Sequence, residues 1–318
     1  MADAEVDLSE WEMTSGSRRR RYLKAQPREQ AAESLPVVVD LHGSGITPED
    51  YLRITDARTL ATCAIVVAPQ AATPSDILAA LPYSVAETLP PATARNIPGT
   101  PMPGESEVRV GADCVDEVAF VGDLIDELVS RHKADPARIH LRGYSGGARL
   151  ASHLAVAFPQ RIASIACIAG VRPPPQKTAS TPPVLAIHGR RDALNPFVGG
   201  TTPQWRDSVE FAVDRWGVYA QCTTSTKESI ADGVHETRYL RADGSSPVRL
   251  VVLDEVEHSW PGTTDEQHVA IFGNAGNYSA SAAYWEFVQD VEGFAAVAPQ
   301  MSGRHRASED GSSGDVNG

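Results

Sequence analysis

No apolar run among the 318 residues approaches the ~18 that suggest a membrane helix. That excludes a helical membrane span and turns attention to a buried soluble core. There is no H-E-x-x-H and no clustered His/Cys spacing, so no metal is expected. No glycine-rich turn fits a dinucleotide or P-loop pattern, so no cofactor is expected either. Cysteine is scarce: Cys63, Cys114, Cys167 and Cys222 are scattered, with no C-x-x-C pair. Cys63 and Cys167 sit in apolar runs and read as buried thiols, while the disulfide state stays open. Positive charge is also short. Lys and Arg total 28 against 41 Asp and Glu, a net charge of −13, which argues against nucleic acid or an anionic membrane as partner. The acidic amino terminus lacks an apolar signal core, and the arginines at 18–21 are followed by Tyr22-Leu23-Lys24 rather than a hydrophobic region. The expected location is cytoplasmic. No internal repeat is visible.

What the chain does contain is a run of alternating strand and helix signals. Asp7–Met13 and Arg19–Ala25 flank a Thr-Ser-Gly-Ser turn and predict an edge hairpin whose arginines discourage edge pairing. Pro36–Leu41, Ala64–Ala68, Ile139–Leu141, Ile162–Ala169 and Val184–Gly189 are nearly continuous apolar strands, as in a parallel sheet covered on both faces. Thr237–Arg241 and Val248–Leu253 are further strands around the Asp243-Gly244 turn. Helices are expected over Pro48–Thr62, Val115–His132, the stretch after Ser145, Gln204–Trp216 and Ser279–Phe294. The fold class expected is α/β, one domain over residues 1–300, mainly parallel, with the amino-terminal hairpin antiparallel. Residues 70–111 are rich in proline and too long for an ordinary connection; they read as an insertion, either disordered or a lid over the site. Residues 301–318 are polar and read as a disordered tail.

The most informative stretch is Arg138-Ile139-His140-Leu141-Arg142-Gly143-Tyr144-Ser145-Gly146-Gly147. A strand leads into G-x-S-x-G, and Leu150, Leu154 and Phe158 then recur at helical spacing. That is the setting of a nucleophile elbow, in which a sharp turn lifts the serine hydroxyl clear of the sheet. The helix after Ser145 aims free N–H groups toward the hydroxyl, so charge developing on a bound carbonyl would be stabilised there.

A serine hydroxyl is a weak nucleophile near neutral pH and needs a base that is itself oriented. Two strand ends supply candidates. Asp192 follows the strand ending at Gly189, and His258 follows the strand ending at Leu253. Chain order Ser145, Asp192, His258 is that of α/β-hydrolases. The backbone N–H groups of Ser44 and Gly146 are the candidate oxyanion donors. Asp254, Glu255 or Glu257, close to His258 in sequence, could replace Asp192 as orienter, whereas Asp207 and Asp214 lie inside a helical pattern and are less apt. His42, Tyr144 and Trp260 are candidates to line the substrate site; the plainer roles are a loop-shaping hydrogen bond for His42 and wall packing for the other two. His140, His153 and His188, like His42, read as structural, lying in strands, helices or strand ends with no acidic partner in view.

These features together resemble the polyhydroxyalkanoate-depolymerase-like esterases, grouped with the feruloyl and acetylxylan esterases of carbohydrate esterase family one. Leu35 to Gly43 resembles the family's oxyanion strand, Val115 to Ile139 its helix and approach to the elbow, and Pro183 to Gly189 with Asp192 its acid strand. His258-Ser259-Trp260-Pro261-Gly262 resembles its histidine turn and is the most specific of the four. The resemblance spans about Arg19 to Val297. It implies an α/β-hydrolase fold and cofactor-free ester hydrolysis on the triad already derived. The chain departs from many relatives in having Gly146-Gly147-Ala148 after the serine, and in residues 70–111. The substrate expected is a small or oligomeric ester, the protein a monomer or homodimer. Acyl transfer or peptide cleavage on the same triad, and a hydrolase-like binding protein without turnover, are the rival readings.

Overall fold

The computed structural model describes residues 6–28, 35–43, 46–71, 117–174, 180–200 and 206–293. The expectations for the 70–111 insertion and the 301–318 tail lie outside those residues, save Gln70 and Ala71.

Among the described residues ten strands form one sheet: β1 (Val6–Ser15), β2 (Arg18–Pro27), β3 (Leu35–Leu41), β4 (Ile65–Pro69), β5 (Ala134–Tyr144), β6 (Ser164–Ile168), β7 (Val184–Gly189), β8 (Thr224–Ala231), β9 (Val234–Leu240) and β10 (Val248–Leu253). Their order is β1-β2-β4-β3-β5-β6-β7-β10-β9-β8. From β4 to β10 each neighbour pairs parallel; the hairpins β1–β2 and β8–β9 join the two edges antiparallel. β4 lies on one side of β3 and β5 on the other, so the chain reverses its direction of travel across the sheet between β3 and β5. The carboxyl ends of strands at such a switch are where open α/β sheets place their sites.

The central strands are buried on both faces, which explains their apolar runs. Val37, Val39 and Leu41 of β3 join one core, together with α3 (Glu117–Arg131), α4 (Gly146–Ala157) and α5 (Val209–Tyr219). Val38, Val66 and Ala68 join the other, beneath α1 (Pro48–Ile54), α2 (Ala57–Leu60) and α7 (Ala280–Glu292). An intervening helix, α6 (Glu266–Phe272), follows the histidine turn. Among the described residues no helix is long and apolar enough to cross a membrane.

Several expectations need correction. The single helix over Pro48–Thr62 is two, because Asp56 adopts a left-handed conformation (φ 49°) that ends the first ladder at Thr55. The helix expected from Gln204 begins at Val209, where the Ser208 side chain accepts a hydrogen bond from the Phe211 N–H. β8 and α6 were not anticipated. Every residue of β8 is exposed, so its sequence carries no alternation.

A fully buried ion pair ties the centre of the sheet together. Asp40 of β3 and Arg142 of β5 are register partners, joined by Arg142 Nε to Oδ1 at 2.7 Å and Nη2 to Oδ2 at 2.6 Å. The guanidinium also sits 5.3 Å from the Trp260 ring and 5.1 Å from Tyr284. A forked cation is suited to such a site because both carboxylate oxygens are satisfied at once.

Candidate active site

Ser145 stands between β5 and α4 with φ 53° and ψ −111°, a conformation costly for a residue with a side chain. Its N–H donates to the Ile168 carbonyl of β6 at 2.8 Å, which fixes the turn against the neighbouring strand. Two glycines make the turn feasible. A Cβ on Gly143 would come within 2.3 Å of the Gly147 carbonyl oxygen, and one on Gly147 within 1.9 Å of the Leu41 carbonyl oxygen of β3. No side chain fits at either place, so helix, elbow and central strand pack backbone against backbone.

The three candidate triad residues meet. His258 Nε2 lies 2.9 Å from Ser145 Oγ, and His258 Nδ1 lies 2.7 Å from Asp192 Oδ2. An ionised carboxylate can only accept, so the Nδ1 hydrogen points to Asp192 and Nε2 is left to accept from the serine hydroxyl. Asp192 is held by its own turn: the N–H groups of Leu194 and Asn195 donate to Oδ1 at 2.9 and 2.7 Å. Burial pushes its carboxyl up, but hydrogen bonds from His188 and His258 outweigh this and hold it well below the usual carboxylate range. It is therefore charged throughout the neutral range. All three side chains are largely buried.

The alternative orienters are engaged elsewhere. Asp254 binds Arg190 and His235, Glu255 binds Arg191, and Glu257 accepts from the Asn274 N–H. Of the oxyanion candidates, Gly146 is the first residue of α4, where N–H groups have no partner within the helix; Ser44 lies outside the described residues.

The candidate substrate contacts turn out to be supports. His42 is fully buried: the Ala71 N–H donates to its Nε2 at 3.2 Å and its Nδ1 hydrogen goes to the Gly43 carbonyl at 2.9 Å. Burial pushes its pKa down to about 4, so it is a neutral loop brace. Tyr144 is also fully buried. Its hydroxyl donates to the His258 carbonyl and its ring lies 5.4 Å from the imidazole, so the residue preceding Ser145 holds His258 in place. Trp260 meets the Tyr51 and Tyr144 rings edge-on and donates from Nε1 to Ser281 Oγ at 3.3 Å.

Two histidines contradict the expectation that they lack acidic partners. His140 Nε2 lies 2.8 Å from Glu292 Oε1. His188 Nε2 lies 3.4 Å from Asp192 Oδ2. The second contact was legible as a His and Asp four apart on either side of a strand end. Asn195 was missed altogether. Beyond its N–H on Asp192, its side-chain amide donates to the Ala169 carbonyl and its own carbonyl lies 2.8 Å from His188 Nε2. His268, on the unanticipated α6, accepts from the Trp260 N–H at 3.0 Å and steadies the histidine turn.

Sheet order and site together define an α/β-hydrolase fold, and likeness to known proteins agrees. The acetyl xylan esterase from Aspergillus awamori superposes with a TM-score of 0.55 at 13% identity, over 82% of this chain and 98% of that one. An acylaminoacyl peptidase in complex with Z-Gly-Gly-Phe-chloromethyl ketone does so at 0.51 and 12% identity, over 90% of this chain and 41% of its own. In sequence, residues 106–195 match the family described as Esterase PHB depolymerase, a span that takes in Ser145 and Asp192. NocK of Nocardia uniformis subsp. tsuyamanensis, provisionally named an esterase, is 27% identical over 294 residues, 85% of this chain and 79% of its own. The chain is a carboxylic ester hydrolase, and its resemblance to the polyhydroxyalkanoate-depolymerase-like esterases is borne out.

Proposed function

We propose that this enzyme cleaves carboxylic esters through a Ser145–His258–Asp192 triad and an acyl-enzyme intermediate. The observation that carries the reading is the unbroken relay from Ser145 Oγ through both nitrogens of His258 to Asp192, at 2.9 and 2.7 Å. Ser145 Oγ attacks the ester carbonyl carbon as His258 Nε2 takes its proton. The tetrahedral oxyanion is held by the Gly146 N–H and, on the same reading, by that of Ser44; one such donor contributes roughly 3–4 kcal/mol in known cases. Nε2 returns the proton to the departing alcohol, leaving Ser145 acylated. Water then gives its proton to His258 Nε2 as its oxygen attacks the acyl carbon; the new tetrahedral adduct collapses, the bond to Ser145 Oγ breaks, Nε2 returns the proton to Oγ and the acid leaves. Asp192 keeps the imidazole in the tautomer that can accept and stabilises its charged form.

The substrate we infer is a small or intermediate-sized ester of acetyl, feruloyl or hydroxyalkanoate type, in keeping with the family match. We infer a cytoplasmic setting: Cys63, Cys167 and Cys222 are free thiols, the state a reducing compartment maintains.

The test is Ser145→Ala, purified and assayed on p-nitrophenyl acetate and butyrate. Hydrolysis should fall to background; undiminished turnover would remove Ser145 from the mechanism. A panel of short acyl, feruloyl and hydroxybutyrate esters then ranks substrates by kcat/KM.

A further inference from the structure

His188 has no part in the reaction just described, yet it is the second imidazole at Asp192. Its Nε2 lies 2.8 Å from the Asn195 carbonyl oxygen and 3.4 Å from Asp192 Oδ2. Both neighbours are acceptors, so Nε2 carries the hydrogen. His188 Nδ1 is buried and, among the described residues, has no hydrogen-bond partner. An unpaired buried acceptor is destabilising, and an apolar ring at the same place would not leave one. Simple packing therefore does not account for an imidazole here. Its hydrogen points at the turn that carries the triad acid. The same Oδ2 accepts from His258 Nδ1 at 2.7 Å, and Oδ1 is already fixed by two backbone N–H groups. Oδ2 is thus the one oxygen of Asp192 whose position depends on side chains.

We propose that His188 is a positioning residue for the triad acid: anchored on the Asn195 carbonyl, its Nε2–H holds Oδ2 of Asp192 in line with His258 Nδ1. This rests on the triad reading above. His188 keeps its Nε2 hydrogen on this turn, whereas His258 takes up and gives back a proton in every cycle of the proposed reaction. Among the described residues, other ionisable groups about the pair include Tyr144 at the end of β5, His268 on α6 and Arg149 on α4, the last 3.5 Å from Asn195 Oδ1.

The experiment compares His188→Leu, which removes the donor, with His188→Gln, which keeps an N–H at similar reach. The readouts are kcat and KM, normalised to the folded fraction, and the pH profile of kcat/KM. His188→Leu should lower kcat about tenfold, within the range for coupled residues of one hydrogen-bonded network, and leave KM unchanged. Its acidic limb should move to higher pH, because Oδ2 relieved of a second donor favours the protonated form of His258 more strongly. His188→Gln should recover most of the rate and the parent profile. Parent-like kcat and acidic limb in His188→Leu would overturn the proposal, as would a Gln variant no better than Leu. Should the Leu variant fail to fold, His188→Met against His188→Gln decides on the same criteria. Ser145→Ala separates the two readings: if it stays active the triad fails, and if it is inert while His188→Leu behaves as parent, only the positioning role fails.

Discussion

Replacing Asp192 with Asn would alter almost no volume and should abolish most of the activity. The geometry dictates which way the new amide must point. At the Oδ1 position two backbone donors, the N–H groups of Leu194 and Asn195, arrive at 2.9 and 2.7 Å. An NH2 there would face two hydrogens, so the amide oxygen must occupy that position and the NH2 must take the place of Oδ2. It would then present a hydrogen to His258 Nδ1, 2.7 Å away in the parent, and another donor to His188. To meet it, His258 must shift its proton to Nε2 and so loses the lone pair that accepts from Ser145. An enzyme whose triad acid is so changed loses about 10⁴ in kcat in the known serine-protease case. At 1.36 kcal/mol per factor of ten that is about 5 kcal/mol of transition-state stabilisation. The assay is steady-state hydrolysis of p-nitrophenyl acetate by the purified variant, with a thermal melt to confirm that it is folded. A folded Asp192→Asn that keeps more than about a tenth of the parent kcat would refute the tautomer argument and return the role of orienter to another group.

Two further outcomes follow from the buried charges. Arg142→Ala would strand the Asp40 carboxylate in the middle of the sheet and should cost about 3–5 kcal/mol of folding stability in a denaturant titration; a loss below about 1 kcal/mol, the scale of a surface pair, would contradict that. At the end of α7, burial pushes the Glu292 carboxyl up, but hydrogen bonds from His140 and Arg138 of β5 outweigh this and bring its pKa from 4.5 down to about 2. A depressed carboxylate contributes stability above its unfolded value and loses it as pH falls through its folded value. The parent should therefore weaken between about pH 4.5 and about pH 2, and Glu292→Gln should show a flatter melting profile over that window. An unchanged slope would rule Glu292 out as a contributor.

The parts of the fold legible in the sequence were those where burial leaves a period. Val37–Leu41 and Val184–Gly189 face packed helices on both sides, so they read as continuous apolar runs. The elbow was legible because Gly143 and Gly147 have no freedom to be anything else. β8 was not, since an edge strand exposed along its length has no apolar face to display. The extra turn at Asp56 also left no mark, because a left-handed residue other than glycine is set by its surroundings. In the site, the Ser, His and Asp were visible as strand-end residues in a known order. The roles of Asn195, Tyr144 and His268 were not: each acts through a backbone group of a neighbour, and a backbone carbonyl or amide has no letter in the sequence.

The registry of β7 with β10 has a consequence for how this molecule would fail. Gly189 lies opposite Leu253 in a parallel pair, so the segments bearing Asp192 and His258 leave the sheet side by side from the same rung. Gly189 is also pressed against the Val256 carbonyl, which clamps one departing segment on the other. Heating should not loosen the imidazole from its carboxylate ahead of the rest; competence and melting ought to vanish together, with no warm, structured, inert form between them.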